Sequence, residues 1–412
     1  MNDEVKISFL GDIMCEEPLL KASLNKKGEY NFDKVFEEIK YTLLESDYVV
    51  GNLETVCCGE NYGLTDHIFN FNTPKEFLTS IKSSGINLLS TATNHSLDRG
   101  IKGLKENIKN IKASNLEYIG TNYTEEDSEE IFYKDLYGIN VAFLNYTYGT
   151  NVHINENILD EDEIFHINML QSQDQEIEKL KIKKESRSIK SKLSKYVFKV
   201  ISLKTWLKIK KMIGIKHNTA YQDNDISYIR DNYLKSIQKD IENAKLNSDI
   251  VIVCMHSGGQ FNSEPGDFSK YMMKFMAENG VDLVVGNHPH VVQRHQSFST
   301  GMLGLYSLGN FSISPSSVYL IHDNLPEYSI MFHTYLDKHS KMIKRYTFSI
   351  LKIVEENNGS LKVHSVHQLM NKLETGKLNK LKEDVLYIYN TFTREGKSNI
   401  DIQSEYILDD VI

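Results

Sequence analysis

Val5-Lys-Ile-Ser-Phe-Leu-Gly-Asp12 is a short apolar run that stops abruptly at a carboxylate. The same form recurs along the chain. The run 48–50 enters Gly51-Asn52-Leu53-Glu54, and 86–90 is followed by Asn94-His95-Ser96-Leu97-Asp98. The run 250–255 ends in His256-Ser257-Gly258-Gly259, and 283–285 in Gly286-Asn287-His288-Pro289-His290. Runs of this length read as buried strands, as do 140–146 and 303–307. Amphipathic helical patterning occupies 33–45, 75–83, 101–113, 226–246 and 268–279 between them. This alternation predicts an α/β fold with layered sheets inside and helices outside. In open α/β sheets the loops at the carboxyl ends of the strands converge on one crevice. Five dispersed polar clusters are therefore expected to make one site.

Asp12, Glu54, Asn94, His256, His288 and His290 amount to two carboxylates, one amide oxygen and three imidazoles. Mixed oxygen and nitrogen donors suit Mn, Fe or Zn better than Mg or Ca, and without thiolates a closed structural zinc site is not indicated. The natural use is a hydrolytic centre of two divalent ions about 3.5–4 Å apart, bridged by a carboxylate and water and producing hydroxide at neutral pH. His95 is left over. An imidazole is the side-chain type suited to a general acid that protonates a leaving oxygen. Pro289 fixes its own φ and biases His288 toward an extended backbone, so a stiff His-Pro-His is expected. Spacing alone leaves open whether both rings face one centre.

A chain of 412 residues buries a core without disulfide staples, and 40% hydrophobic with 25% charged residues exclude wholesale disorder and collagen-like repeats. A net charge of −9 argues against a chain built throughout for nucleic acid. Cys15, Cys57, Cys58 and Cys254 lack C-x-x-C spacing, which fits a reducing compartment. The first residues are acidic where a secretory signal would be basic, and no run of about 18 apolar residues could span a bilayer. A cytoplasmic location is the expectation.

One stretch stands apart. Residues 179–216 carry 14 Lys/Arg and one Glu, a local +13 against −22 on the remainder. Leu203, Trp206, Leu207, Ile209 and Ile213 share one side of a helical wheel, with Lys204, Lys208 and Lys211 on the other. This basic helix, within an insertion over 150–225, reads in two ways. It docks on an anionic membrane surface at the inner face with Trp206 at the interface, or it packs its apolar side on the domain. After residue 325 the pattern becomes strand-like at 328–335, 345–353 and 361–367, with a hairpin turn at Asn357-Asn358-Gly359 and a helix near 376–390. Residues 325–412 are thus expected to complete a single domain over 1–412.

With these stretches assembled, the chain resembles the poly-gamma-glutamate capsule biosynthesis (CapA-type) family, a branch of the calcineurin-like metallophosphatase superfamily. The resemblance rests on Phe9-Leu-Gly-Asp-Ile-Met14, Gly51-Asn-Leu-Glu54, Phe71-Asn-Thr-Pro74, Thr93-Asn-His-Ser-Leu-Asp-Arg-Gly100, His256-Ser-Gly258, Gly286-Asn-His-Pro-His-Val-Val292 and Tyr306-Ser-Leu-Gly-Asn-Phe311. They occur in the family's order. The resemblance implies a four-layer α/β/β/α metallophosphatase-like sandwich carrying the basic helical insertion. It implies that Asp12, Glu54, Asn94, His256, His288 and His290 ligate metal, with Glu54 bridging, and that His95 is the acid beside the second ion. Asp98 either accepts a hydrogen bond from His95 and sets its tautomer or caps the helix starting near Ile101. Asn287 and Asn310 would stand behind the ligands or against substrate, Asn310 from a late strand, although a turn residue is its plainer reading.

Four departures accompany these matches. Asp12-Ile13-Met14 replaces the superfamily's usual Asp-x-His, and Gly51-Asn52-Leu53-Glu54 replaces Gly-Asp-x-x-Asp. Ser257-Gly-Gly-Gln-Phe261 stands where Trp and acidic residues often follow the histidine. The hydrophobic N-terminal segment of membrane-anchored members is missing. The function implied is a metal-dependent hydrolase or transferase acting on a phosphoester or an anionic capsule or cell-wall polymer precursor. The alternative is a non-catalytic accessory protein of polymer biosynthesis.

Overall fold

The computed structural model describes residues 3–65, 69–185, 223, 225–317 and 319–408. The basic amphipathic stretch at 203–213 lies outside them. Four parallel strands, β1 (Glu4–Ile13), β2 (Tyr48–Leu53), β3 (Leu88–Ser90) and β4 (Glu117–Ile119), begin the larger sheet. The chain then builds a second sheet from β5 (Phe132–Leu136), β6 (Ile139–Thr147), β7 (Ile250–His256), β8 (Leu283–Asn287), β9 (His295–Ser297) and β10 (Leu303–Leu305). Its order is β5-β6-β7-β8-β10-β9, with the inner four strands parallel and both edges antiparallel.

The remaining strands return to the larger sheet. They are β11 (Asn310–Ser312), β12 (Tyr328–Asp337), β13 (Ile343–Glu355), β14 (Leu361–Ser365) and β15 (Tyr406–Ile407). The sheet runs β14-β13-β12-β1-β2-β3-β4, with β11 parallel beside β1 and β15 on β13.

Side-chain alternation decides the layers. Ile250, Ile252 and Cys254 face an inner core shared with Val5, Ile7, Phe9 and Val50 of the other sheet. The helices α1 (Glu76–Ser84) and α2 (Gly100–Ala113) flank β3 in the chain, and Val251, Val253 and Met255 face outward onto two later ones, α3 (Asp231–Asn247) and α4 (Asp267–Glu278). The outward residues meet Ile237 and Ile241 of α3 and Phe268 and Met272 of α4. On the opposite side, Leu10, Val49 and Leu89 meet Phe77, Leu78 and Ile81 of α1. The result is the expected α/β/β/α sandwich. The last helix, α5 (Thr375–Thr393), enters the inner core instead, through Leu381, Val385, Ile388 and Phe392. Phe392 meets Phe348 at 4.9 Å and His295 of β9 at 5.4 Å, so α5 prolongs the inner layer where the smaller sheet ends.

The run 361–367 leaves the strand at Ser365 for a short helix, Val366–Met370, and two further elements differ from the sequence expectation. The run 303–307 stops at Leu305, because the Tyr306 N–H turns to the Arg294 carbonyl, and Gly309 at φ 79° redirects the chain into β11 of the other sheet. Patterning over 33–45 yields two short helices, Asp33–Phe36 and Lys40–Leu43. Phe36, Ile39 and Leu43 stay buried across the break, so the apolar period survives where the hydrogen-bond ladder does not. Among the described residues, no helix is long and apolar enough to cross a membrane.

Candidate metal centre

Strand register brings the polar clusters together. Across the larger sheet Asn310, Asp12, Asn52 and Ser90 are successive cross-strand partners, and across the smaller one Thr147, His256 and Asn287 are. Both rows lie at carboxyl strand ends, except that Asn310 opens β11. Gly11 permits this closeness: a Cβ there would fall 2.0 Å from the Gly309 carbonyl oxygen, whereas the Asp12 N–H now reaches that oxygen at 2.9 Å.

Asp12 is fully buried. Its Oδ1 accepts from Asn52 Nδ2 at 2.8 Å, and its Oδ2 accepts the His288 backbone N–H at 3.2 Å and lies 3.3 Å from His290 Nδ1. Asn52 stands two residues before Glu54 and projects to the same side of the extended chain. Glu54 Oε1 lies 3.3 Å from His256 Nε2 and 3.6 Å from both His288 Nδ1 and His290 Nε2. Two ligand groups result, Glu54 with His256 and His288, and Asp12 with Glu54 and His290. Glu54 belongs to both.

Neither Glu54 oxygen accepts a hydrogen bond, nor does His288 Nδ1 take part in one. Burying a carboxylate without a partner is costly. Burial, then the charge of Asp12, push the Glu54 carboxyl well above its ordinary range. Burial and the neighbouring histidines push His256 and His288 well below theirs, toward the neutral form that ligates metal. Divalent cations would supply the missing counter-charge and take the idle lone pairs, so this donor set fits them.

The His-Pro-His segment corrects the extended expectation: His288 has φ 102° and His290 φ 59°. Tertiary bonds hold the turn. Asp12 takes the His288 N–H, and Pro289's carbonyl takes the Phe261 N–H at 2.7 Å. Strain of this kind persists where the surroundings over-determine it. Both rings consequently reach Glu54. Asn310 opens β11 and is no turn residue. Its Oδ1 lies 2.9 Å from His290 Nδ1, and its amide donates to the carbonyls of His290 and Pro326. A proton on His290 Nδ1 shared with Asn310 leaves Nε2 free to ligate.

Asn94 Oδ1 lies 2.8 Å from His256 Nε2, the nitrogen that also faces Glu54. His95 Nδ1 is 2.7 Å from Asp98 Oδ2, which also accepts the Phe71 N–H. Arg99 holds the cap position of α2, without a side-chain cap. Asp98 therefore orients His95 and does not cap the helix. Asn287 ends β8, its Nδ2 3.5 Å from the Leu10 carbonyl oxygen and its Oδ1 unpartnered.

Three neighbours were not singled out from sequence. Asn52 links Asp12 to His256, its Nδ2 3.2 Å from His256 Nδ1, while Ser90 donates to its Oδ1. Its place two residues before Glu54 was the available signal. Tyr148 sets its ring 4.7 Å from His288 at a tilt of 56°, and its N–H donates to the His256 carbonyl. Glu16 accepts from the Ser314 N–H and the Tyr319 hydroxyl, and burial pushes its carboxyl up to about 7. No motif pointed to either of the last two.

A family model for the bacterial capsule synthesis protein PGA_cap matches residues 6–315. The chain belongs to the PGA_cap family. Similar proteins include the "Capsule biosynthesis protein CapA" of Bacillus anthracis, 27% identical over 313 residues, 75% of this chain and 60% of the relative. The "PGA biosynthesis protein CapA" of Bacillus subtilis (strain 168) is 25% identical over 312 residues, 75% of this chain and 63% of the relative. The chain thus spans less than two thirds of these relatives' length. Among solved structures, a novel phosphatase from Mycoplasma pneumoniae aligns at TM-score 0.39 and 12% identity, over 92% of this chain and 100% of that one. A hypothetical protein from Thermus thermophilus aligns at TM-score 0.41 and 12% identity, over 84% of this chain and 98% of that one. In this PGA_cap protein the departures take physical form. Met14 is buried in the outer core beneath α1, away from the inner layer. Phe261 lies with its ring 5.6 Å from His290.

Proposed function

We propose that this PGA_cap protein is a metal-dependent hydrolase or transferase with a dinuclear centre, acting on a phosphoester or on an anionic capsule or cell-wall polymer precursor. One observation carries the reading: Glu54, buried and without a hydrogen bond, is shared by two ligand groups. The names of the two Bacillus relatives support the polymer context. Asp12, Glu54 and His290 would hold one ion and Glu54, Asn94, His256 and His288 the other. Mn, Fe or Zn suits these donors. Such ions supply activated water and a counter-charge for a substrate oxyanion.

The chain's own residues do the rest. Asp98 holds the Nδ1 proton of His95, so Nε2 is the nitrogen that protonates the leaving oxygen. Asn52 and Asn310 fix Asp12 and His290 in place. The test is release of p-nitrophenol from p-nitrophenyl phosphate and its bis-ester by the metal-replete full chain. His95→Asn should lower kcat about 10²–10⁴-fold. A wild-type sample that holds metal yet releases none contradicts hydrolysis.

Met14 motivates a second reading. With that side chain in the outer core, the first ion keeps a single imidazole, which favours an accessory protein that binds and does not turn over. Complementation by a His95→Ala, His288→Ala double variant would support it. Loss of the cellular phenotype would remove it.

A further inference from the structure

Beside the centre, the short helix Val152–Asn155 after β6 and the helical segment over 174–185 each hold a buried polar atom without a hydrogen-bond partner, His153 Nδ1 and Glu176 Oε1. They are separate from the two ligand groups. The loop that leaves β6 and leads into His153 touches the centre twice. Tyr148 packs on the His288 ring, and Asn151 Nδ2 lies 3.5 Å from both ring nitrogens of His95.

Glu176 is built into this loop. Its Oε2 accepts the Thr150 N–H at 2.8 Å, and its carboxylate lies flat over Gly149, where a Cβ would fall 2.7 Å from Oε2 and 3.2 Å from Oε1. Its side chain is 3% exposed. His153 Nδ1 and Glu176 Oε1 stand 3.9 Å apart, too far for a hydrogen bond and close enough for both to meet a third group.

Both atoms can accept, and the carboxylate oxygen can only accept. What satisfies them together is a compact cation with several N–H donors. A primary ammonium has three. We propose that Glu176 and His153 form a recognition site for a primary ammonium group of the substrate, on the leaving-group side marked by His95. This rests on the dinuclear reading and narrows it. The substrate pairs an anionic reacting group, held at the centre, with an amino group a short distance along the leaving group.

The experiment is calorimetric titration of the metal-replete full chain with O-phosphorylethanolamine and with ethyl phosphate, which differ in the ammonium. Wild type should bind the former about tenfold more tightly, equal to about 1.4 kcal/mol. In Glu176→Gln that ratio should fall to about one. His153→Ala, at the more exposed end of the pair, is the second variant and should also reduce the ratio. Metal content of the same samples separates the two claims. A sample that holds metal and binds both probes equally, or neither, overturns the ammonium site alone. A wild-type preference that persists in protein holding no metal supports the ammonium site and sinks the dinuclear reading.

Discussion

Asp98 shows what a single side chain decides at this centre. It ties the His95 Nδ1 proton and the Phe71 N–H to one carboxylate oxygen, at 2.7 and 2.6 Å. Asp98→Asn should therefore lower kcat while leaving metal content at the wild-type level. Equal losses of both would show that Asp98 supports the ligands and not the acid. The residues that gather at the centre were legible in the sequence, because each follows an apolar run that reads as a buried strand. Asn52 was not. A residue that serves by linking Asp12 to His256 has no ligand chemistry of its own to announce it. The backbone of His288 was misread for a different reason. The preference of a pre-proline residue is local, and here the buried Asp12 oxygen and the Phe261 N–H outweigh it.

Among the elements, the meeting of β1 with β11 and β12 is the joint on which the site hangs. Gly11→Ala would press a methyl against the Gly309 carbonyl, which overpacking places at a cost of about 1–3 kcal/mol. Chemical denaturation should show that loss, together with a fall in metal content through displaced Asp12. A neutral substitution would mean the two strands separate freely. On the neighbouring pair, His333 of β12 sits between Ser8 of β1 and Ser349 of β13, and burial, then the charge of Lys6, pushes its pKa down to about 3.

That shift has a definite sign. The unfolded chain takes up this proton below about 6.5, and the folded chain does not until about 3. The stability is complete above the unfolded value and is lost as pH falls through that window, by at most about 1.4 kcal/mol per pH unit for this group. Urea midpoints of wild type should fall faster between pH 6.5 and 4.5 than those of His333→Gln, with a chelator present so that metal release does not contribute. Parallel curves would assign the acid sensitivity elsewhere. The strands were legible from their alternation, but β10 ended early because the crossing into β11 depends on Gly309 and on contacts with the other sheet.

On the scale of the whole molecule, two sheets face each other so that their carboxyl edges pool residues from positions 12 to 290 in one buried cluster. The alternation of strands and helices made that layering readable. The place of α5 was not, since its apolar face suits either side of a sheet, and only the end of β9 leaves inner surface for it to cover. If cations bridge the two sheets through Glu54, they bind the folded state alone. At a free concentration of about 100 times Kd, one site adds about 2.7 kcal/mol. A chelator should then lower the thermal midpoint of wild type by several degrees and leave Glu54→Ala nearly unmoved.

Elemental analysis of the purified full chain reaches the central claim most directly. Wild type should carry about two divalent ions per chain, His290→Ala about one and Glu54→Ala about none, because that carboxylate alone is common to both groups. Equal metal in wild type and Glu54→Ala, or none in wild type after exposure to Mn, Fe and Zn, would contradict a centre joined at Glu54.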